Sequence, residues 1–330
     1  MESLPASLTW GEYIRQWTDD RGGWTQLANE LVDRATASTE VPEDAQSVER
    51  GLRRLATRGH KPGGQYGRWM LRYFGFVAAV DELVKWMGQY HTRFADLPCG
   101  FRLEHLTLWN RPPIAESKMA AWIHIGIAHA HLSRREHAEC VHWLASAERL
   151  ARHAGPAAEI ECHLLHAQLV AERDLDAARA HFAAIDLAHP ELAVLDERVY
   201  RARLADQRAH LLTRPFEGVT PNFHAARAEY EAIDETPYQP FVSFRRAVGL
   251  AFCAWKLDER SAAVELATRA VEHAGDGGLL RMRVNGLNML SRVLDGPDAQ
   301  TSHERAARIA AQLEDEELMS RVAQCIPARE

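Results

Sequence analysis

Two groups of side chains carry the chemistry this sequence offers. Between positions 50 and 72 stand Arg50, Arg53, Arg54, Arg58, Arg68 and Arg72 with Lys61, and no acidic residue interrupts them. That composition suits a phosphate-facing surface or an acidic partner. The second group is imidazole and thiol, between positions 124 and 166. Cys162 and His166 stand at i, i+4, and His137, Cys140 and His142 lie close together upstream. Thiolate and imidazole suit zinc, but this spacing matches no strong zinc signature, so buried or interfacial histidines are expected, without metal or cofactor. Nothing here nominates a catalytic pair: there is no G-x-S-x-G, no HExxH and no Walker lysine. Lys61-Pro62-Gly63-Gly64 is glycine-rich without the strand–loop–helix setting that aligns amides on a phosphate. Glu314 and Glu317 fall on a solvated terminal helix. The expectation is therefore a protein that binds rather than an enzyme.

The bulk composition limits the options further. A chain of 330 residues is long enough for a small domain joined to an elongated array. Its 46% apolar and 26% charged content is that of a folded protein. The net charge near −7 argues against coating nucleic acid by overall charge, so any such binding is local. Cys99, Cys140, Cys162, Cys253 and Cys325 are odd in number, far apart and without a CxxC, which fits free thiols in a reducing cytoplasm. No stretch approaches the ~18 apolar residues of a membrane span, and the N-terminus lacks a signal-peptide core. The expected location is cytoplasmic, with no membrane partner.

The elements that must position the arginines are helices, since strand signals are almost absent. Thr9-x-x-Glu12 reads as a capping box opening a helix with Trp10, Ile14 and Trp17 buried. Gly22-Gly23 breaks it, and a second helix carries Trp24, Leu27 and Leu31. A loop is expected over 35–41, with Pro42, Glu43 and Asp44 starting a third helix. There Val48, Leu52 and Leu55 make one apolar face, and Arg50, Arg54 and Arg58 repeat every four residues opposite, with Arg53 beside them. Gly59 stops it. A fourth helix holds Tyr66, Trp69, Met70 and Tyr73. A fifth holds Phe76, Val80, Leu83, Val84 and Met87. Six of nine tryptophans lie at or before Trp109, and a Pro pair at 112–113 marks the boundary of an aromatic-rich N-terminal helical domain, 1–113.

Beyond that point, Trp122-x2-Ile125-Gly126-x2-His129 with Ala138 and Ala145 resembles the tetratricopeptide repeat pattern. Further units place Leu165, Leu169, Ala178, Phe182 and Pro190; then Ala226, Tyr230 and Ile233 after an insertion at 215–221; then Leu250, Ala251, Ala263, Ala267 and Ala270. The last unit centres on Leu290 and Ala307, with an acidic capping helix over 314–325. Small residues at Ala138, Ala178, Ala226, Ala263 and Ala307 mark expected helix crossings. The expected fold is all-α: a small N-terminal helical domain, then a tetratricopeptide-like α-solenoid of about five helix pairs over 114–330. That resemblance implies a groove for a protein or peptide, with His124, His131, Arg201, Arg208, Arg245 and Arg246 as candidate lining residues.

The first four helices, 8–75, with the arginine-bearing third, resemble a helix-turn-helix. Such a module ahead of a tetratricopeptide array resembles peptide-responsive bacterial transcription regulators. The resemblance implies base or phosphate contacts for Ser47, Arg50, Arg53, Arg54 and Arg58, with Lys61 and Arg68 on the flanking backbone. Two features depart from it: the connection 35–41 is long, and Gly51 sits inside the proposed recognition helix. Three functions follow in order. The first is a regulatory scaffold binding a protein or peptide, with DNA a candidate partner through helix 44–58. The second is a pure protein–protein adaptor, a second copy of the chain included. The third is a metal-dependent protein or enzyme using the cluster 124–166.

Overall fold

The computed structural model describes residues 7–35, 44–215, 219–235 and 239–325. The connection expected at 36–41 and the helix start expected at Pro42 and Glu43 lie outside them. Thr9 and Glu12 close the capping box reciprocally and open α1 (Trp10–Arg21). Gly22, at φ 80, ends it in the left-handed conformation that glycine adopts without a Cβ clash. α2 (Trp24–Arg34) follows, and α3 (Ala45–Ala56) starts on Asp44, whose carboxylate accepts from the amides of Gln46 and Ser47. Val48, Leu52 and Leu55 are buried together with Trp10, Tyr13, Ile14, Leu27 and Leu31. α4 (Gly64–Tyr73) then crosses α3 so closely that a Cβ on Gly51 would lie 2.0 Å from the Tyr66 ring. The glycine that weakens α3 as an isolated helix is what admits Tyr66 to its surface.

α5 (Ala78–Arg93) and α6 (Cys99–Trp109) lead through a short 3-10 turn (Ile114–Glu116) into the array. Leu83, expected inside, is 45% exposed on α5. One apolar cluster runs from Leu8 to Leu211, so the packing continues across residue 113.

The array consists of neighbouring helix pairs. They are α7 (Ala120–Ser133) with α8 (His137–Ala154), α9 (Pro156–Val170) with α10 (Leu175–Ala183), and α11 (Val194–Thr213) with α12 (Phe223–Glu231). α13 (Pro240–Lys256) with α14 (Arg260–Asp276), and α15 (Leu280–Val293) with α16 (Gly296–Gln312), complete the five, and α17 (Glu316–Ala323) follows. The described residues contain no strand, and the fold is all-α and solenoid-like. Small residues do sit at the crossings, where close approach requires them: Ala178, Ala226, Ala263, Ala267 and Ala270 are buried. In the first and last pairs the register differs from expectation. Ala138, Ala145 and Ala307 face solvent, and Cys140, Ala147 and Ala306 are buried in their stead.

The array does not end free. The α16–α17 turn returns to the start of the array, where the Cys99 amide donates to the Leu313 carbonyl at 3.0 Å and the Gly100 amide to Glu314 at 2.9 Å. In the opposite sense, Asp96 accepts from the Arg281 amide at 2.8 Å. Each strand of this closure satisfies orphan amides at the other's helix N-terminus, α6 on one side and α15 on the other. Leu318 and Val322 of α17 are buried, while Glu316 and Arg321 face solvent.

Candidate functional site

The arginine face of α3 is open to solvent. Arg50, Arg53, Arg54 and Arg58 are exposed, as are Lys61 and Arg68. Arg53 is held by Glu49 at 2.8–2.9 Å and lies over the Trp24 ring. Arg50 donates to the Ser47 hydroxyl at 3.0 Å, which in turn donates to Asp44 at 2.6 Å. Arg58 donates to the Pro62 carbonyl. Among the described residues no carboxylate pairs with Arg54, Lys61 or Arg68. The stretch predicted to meet an anion is therefore assembled on one module, with its charge largely unspent. The turn carrying Lys61 is fixed from below, because the Trp10 indole donates to the Lys61 carbonyl at 3.0 Å.

The array provides a second feature, an open cavity lined by α9, α11, α13, α15 and α17 and by the end of α5. It has a main lobe of about 560 Å³ and a side lobe of about 110 Å³ against α7. A volume of this size is within the ~300–1,000 Å³ of small-ligand sites. Seven arginines and three carboxylates line it. Arg245 pairs with Asp206, Arg281 with Asp315 at 2.9 Å, and Arg214 approaches Glu172 at 3.7 Å. Glu317 is divided between Arg135 at 3.4 Å and Arg321 at 3.0 Å. Among the described residues Arg292 has no carboxylate partner; it contacts the Cys325 thiol, at 3.0 Å from Nε, and the Trp255 ring. The interior therefore holds surplus positive charge on an acidic chain.

Of the six residues expected along a groove, Arg245 alone lines this cavity. Arg201 is exposed and paired with Glu197, Arg208 is exposed, and Arg246 is half-buried away from the lining. His131 bonds to Glu136 at 2.6 Å beside the α7–α8 turn. His124 is buried against Trp143 and bonded to Asn110 at 3.0 Å. Spacing alone did not identify the inner face, because α7 is buried on nearly every side and its apolar residues mark no single stripe.

Burial, with Arg149 and His142 nearby, holds His124 down at about 4. Below about pH 6.5 the unfolded chain takes up a proton at this position that the folded chain refuses until near pH 4. Stability contributed by neutral His124 is present above that window and falls as pH drops through it, by about 1.4 kcal/mol per pH unit at most. His124→Gln keeps a partner for Asn110 and removes the proton site. Urea denaturation at about pH 7 and about pH 4.5 is expected to show a smaller acid loss in the variant than in the parent.

The imidazole and thiol side chains sit in different settings: Cys140 and Cys162 are buried, His137 and His166 half-buried and His142 exposed. The His166 ring lies 2.8 Å from the Glu148 carboxylate and stacks on His181, while burial pushes the Cys140 thiol up to about 12 and raises Cys162 likewise. Among the described residues no three such side chains converge on a metal position. No described helix is long and apolar enough to cross a membrane.

Comparison with protein-family models, curated proteins and solved structures finds no match for this chain.

Proposed function

We propose that this protein is a regulatory helical scaffold. It takes a polypeptide ligand into the chamber of its tetratricopeptide-like array and presents an anion-binding face on a helix-turn-helix-like module to DNA. The observation that carries the reading is the solvated ridge Arg50, Arg54 and Arg58, on a helix whose opposite face is anchored by Val48, Leu52 and Leu55. A purely structural set of arginines is expected to be spent on carboxylates, as Arg203 and Arg93 are elsewhere in the chain.

Anisotropy titrations of labelled duplex DNA across a range of salt test it. The wild type is expected to show log K falling linearly with log salt, and replacing Arg50, Arg54 and Arg58 with glutamine to flatten that slope by about 2.7, at ~0.9 per phosphate contact. Absence of DNA affinity at low salt removes this arm. The adaptor reading, in which the same ridge docks an acidic protein, then takes its place. That second reading has support of its own in Trp86 and Phe101, which are 55% and 53% exposed on α5 and α6.

A further inference from the structure

Four cavity-lining residues of α15 fall at i, i+4, i+7 and i+11: Arg281, Asn285, Asn288 and Arg292. They form one stripe along the helix face turned to the chamber. At about 1.5 Å per residue the stripe is about 16 Å long, which an extended peptide spans with about five residues. Its chemistry is ordered, with guanidinium at each end and primary amides between. Carboxamides pair with both the N–H and the C=O of a peptide main chain, and guanidinium forks take carboxylates.

Three features of the lining favour a polar ligand. Asn288 is 7% exposed, yet its side-chain oxygen has no partner; a buried amide left half-satisfied is costly unless something meets it. Ser133, 2% exposed and lining the side lobe, likewise has an unpartnered hydroxyl. Among the described residues Arg292, at one end of the stripe, meets a thiol and an indole and no carboxylate. Met289 and Phe252 supply apolar surface next to it.

We propose that the chamber binds a short acidic peptide laid along α15, with its main chain on Asn285 and Asn288 and a carboxylate on Arg292. This rests on the reading of the interior as a ligand chamber and is independent of the DNA arm. The probes are three pools of pentapeptides and hexapeptides, identical in their apolar positions and carrying Glu, Gln or Lys at the variable ones. Calorimetric titration of the full chain is expected to show binding by the Glu pool, weakening as salt rises. Arg292→Gln is expected to weaken it at least ~tenfold and Asn288→Ala ~fivefold, the scale of one charged and one neutral hydrogen bond. Arg292→Lys, which keeps the charge without the fork, falls between. If Arg292→Gln does not fold, the salt dependence of the wild type carries the same test. Equal binding of the Gln pool, preference for the Lys pool, or full affinity in folded Arg292→Gln overturns the acidic assignment while leaving a peptide chamber. Binding of ATP with no peptide pool bound overturns the peptide assignment and leaves a chamber for a different anion. Binding of no pool and no ATP overturns the chamber reading itself, whatever the DNA titration gives.

Discussion

Replacing Glu161 with leucine is expected to destabilise the fold by about 3–5 kcal/mol, the range for removing one partner of a buried ion pair. Glu161 on α9 is 1% exposed and holds the guanidinium of Arg203 on α11 at 2.5 Å. Arg93 at the end of α5 approaches the same carboxylate at 3.6 Å and bonds Asp196 at 2.9 Å, and its guanidinium lies over the Tyr200 ring. Lys85 and Gln89 converge on Asp196 as well. Removing Glu161 strands the Arg203 charge in the interior and takes a counterion from Arg93. Adding Arg203→Met should recover most of the loss, because an apolar pair of similar volume is close to neutral in such sites. Urea denaturation of both single variants and the double variant checks this. Additive losses across the cycle would mean that the two residues are not energetically coupled.

The second large effect is expected at Trp10. The indole is fully buried, and it fits only because two glycines of the α3–α4 turn and α4 lie against it; a Cβ on Gly63 would sit 2.3 Å from the ring and one on Gly67 2.9 Å. Trp10→Ala empties that space at a cost of about 3–5 kcal/mol. It also frees the Lys61 carbonyl that the indole N–H holds. The consequence extends to binding, since the turn bearing Lys61 is positioned from underneath by a residue that no polyanion touches. Folded Trp10→Ala, measured at low temperature, is expected to bind DNA more weakly than wild type with a lower salt slope. Unchanged binding in that variant would mean the turn holds its place without the indole.

Much of the N-terminal module was legible because short-range rules govern it. The Thr9–Glu12 box, the Gly22 stop and the Val48/Leu52/Leu55 stripe each depend on residues within about two turns. Gly51 was not legible in the same way. Helix propensity counts it as a weakness, and its reason, the Tyr66 ring, lies on another helix. The same arrangement recurs in the array, where Gly249 of α13 admits Tyr230 of α12 with a Cβ distance of 2.1 Å. Pairing in the array was readable from small residues, but the inner face was not. Arg281, Asn285, Asn288 and Arg292 read as ordinary polar positions until the packing of distant helices places them on one cavity wall. Gly64-Gln65-Tyr66 and Gly88-Gln89-Tyr90 share a sequence but not a setting: Gly64 opens a helix at φ 64, whereas Gly88 lies within α5 against the Trp122 backbone.

The reciprocal capping between Asp96 and α15, and between Leu313–Glu314 and α6, bears on how the molecule comes apart. An open row of helix pairs frays from its terminal unit inward, each loss exposing only one neighbour. Here the last unit is also a neighbour of the first, so there is no outermost layer to shed. Deleting α17 uncovers surface at both ends of the chain's path, and hydrogen exchange in α6 and α15 is expected to rise together.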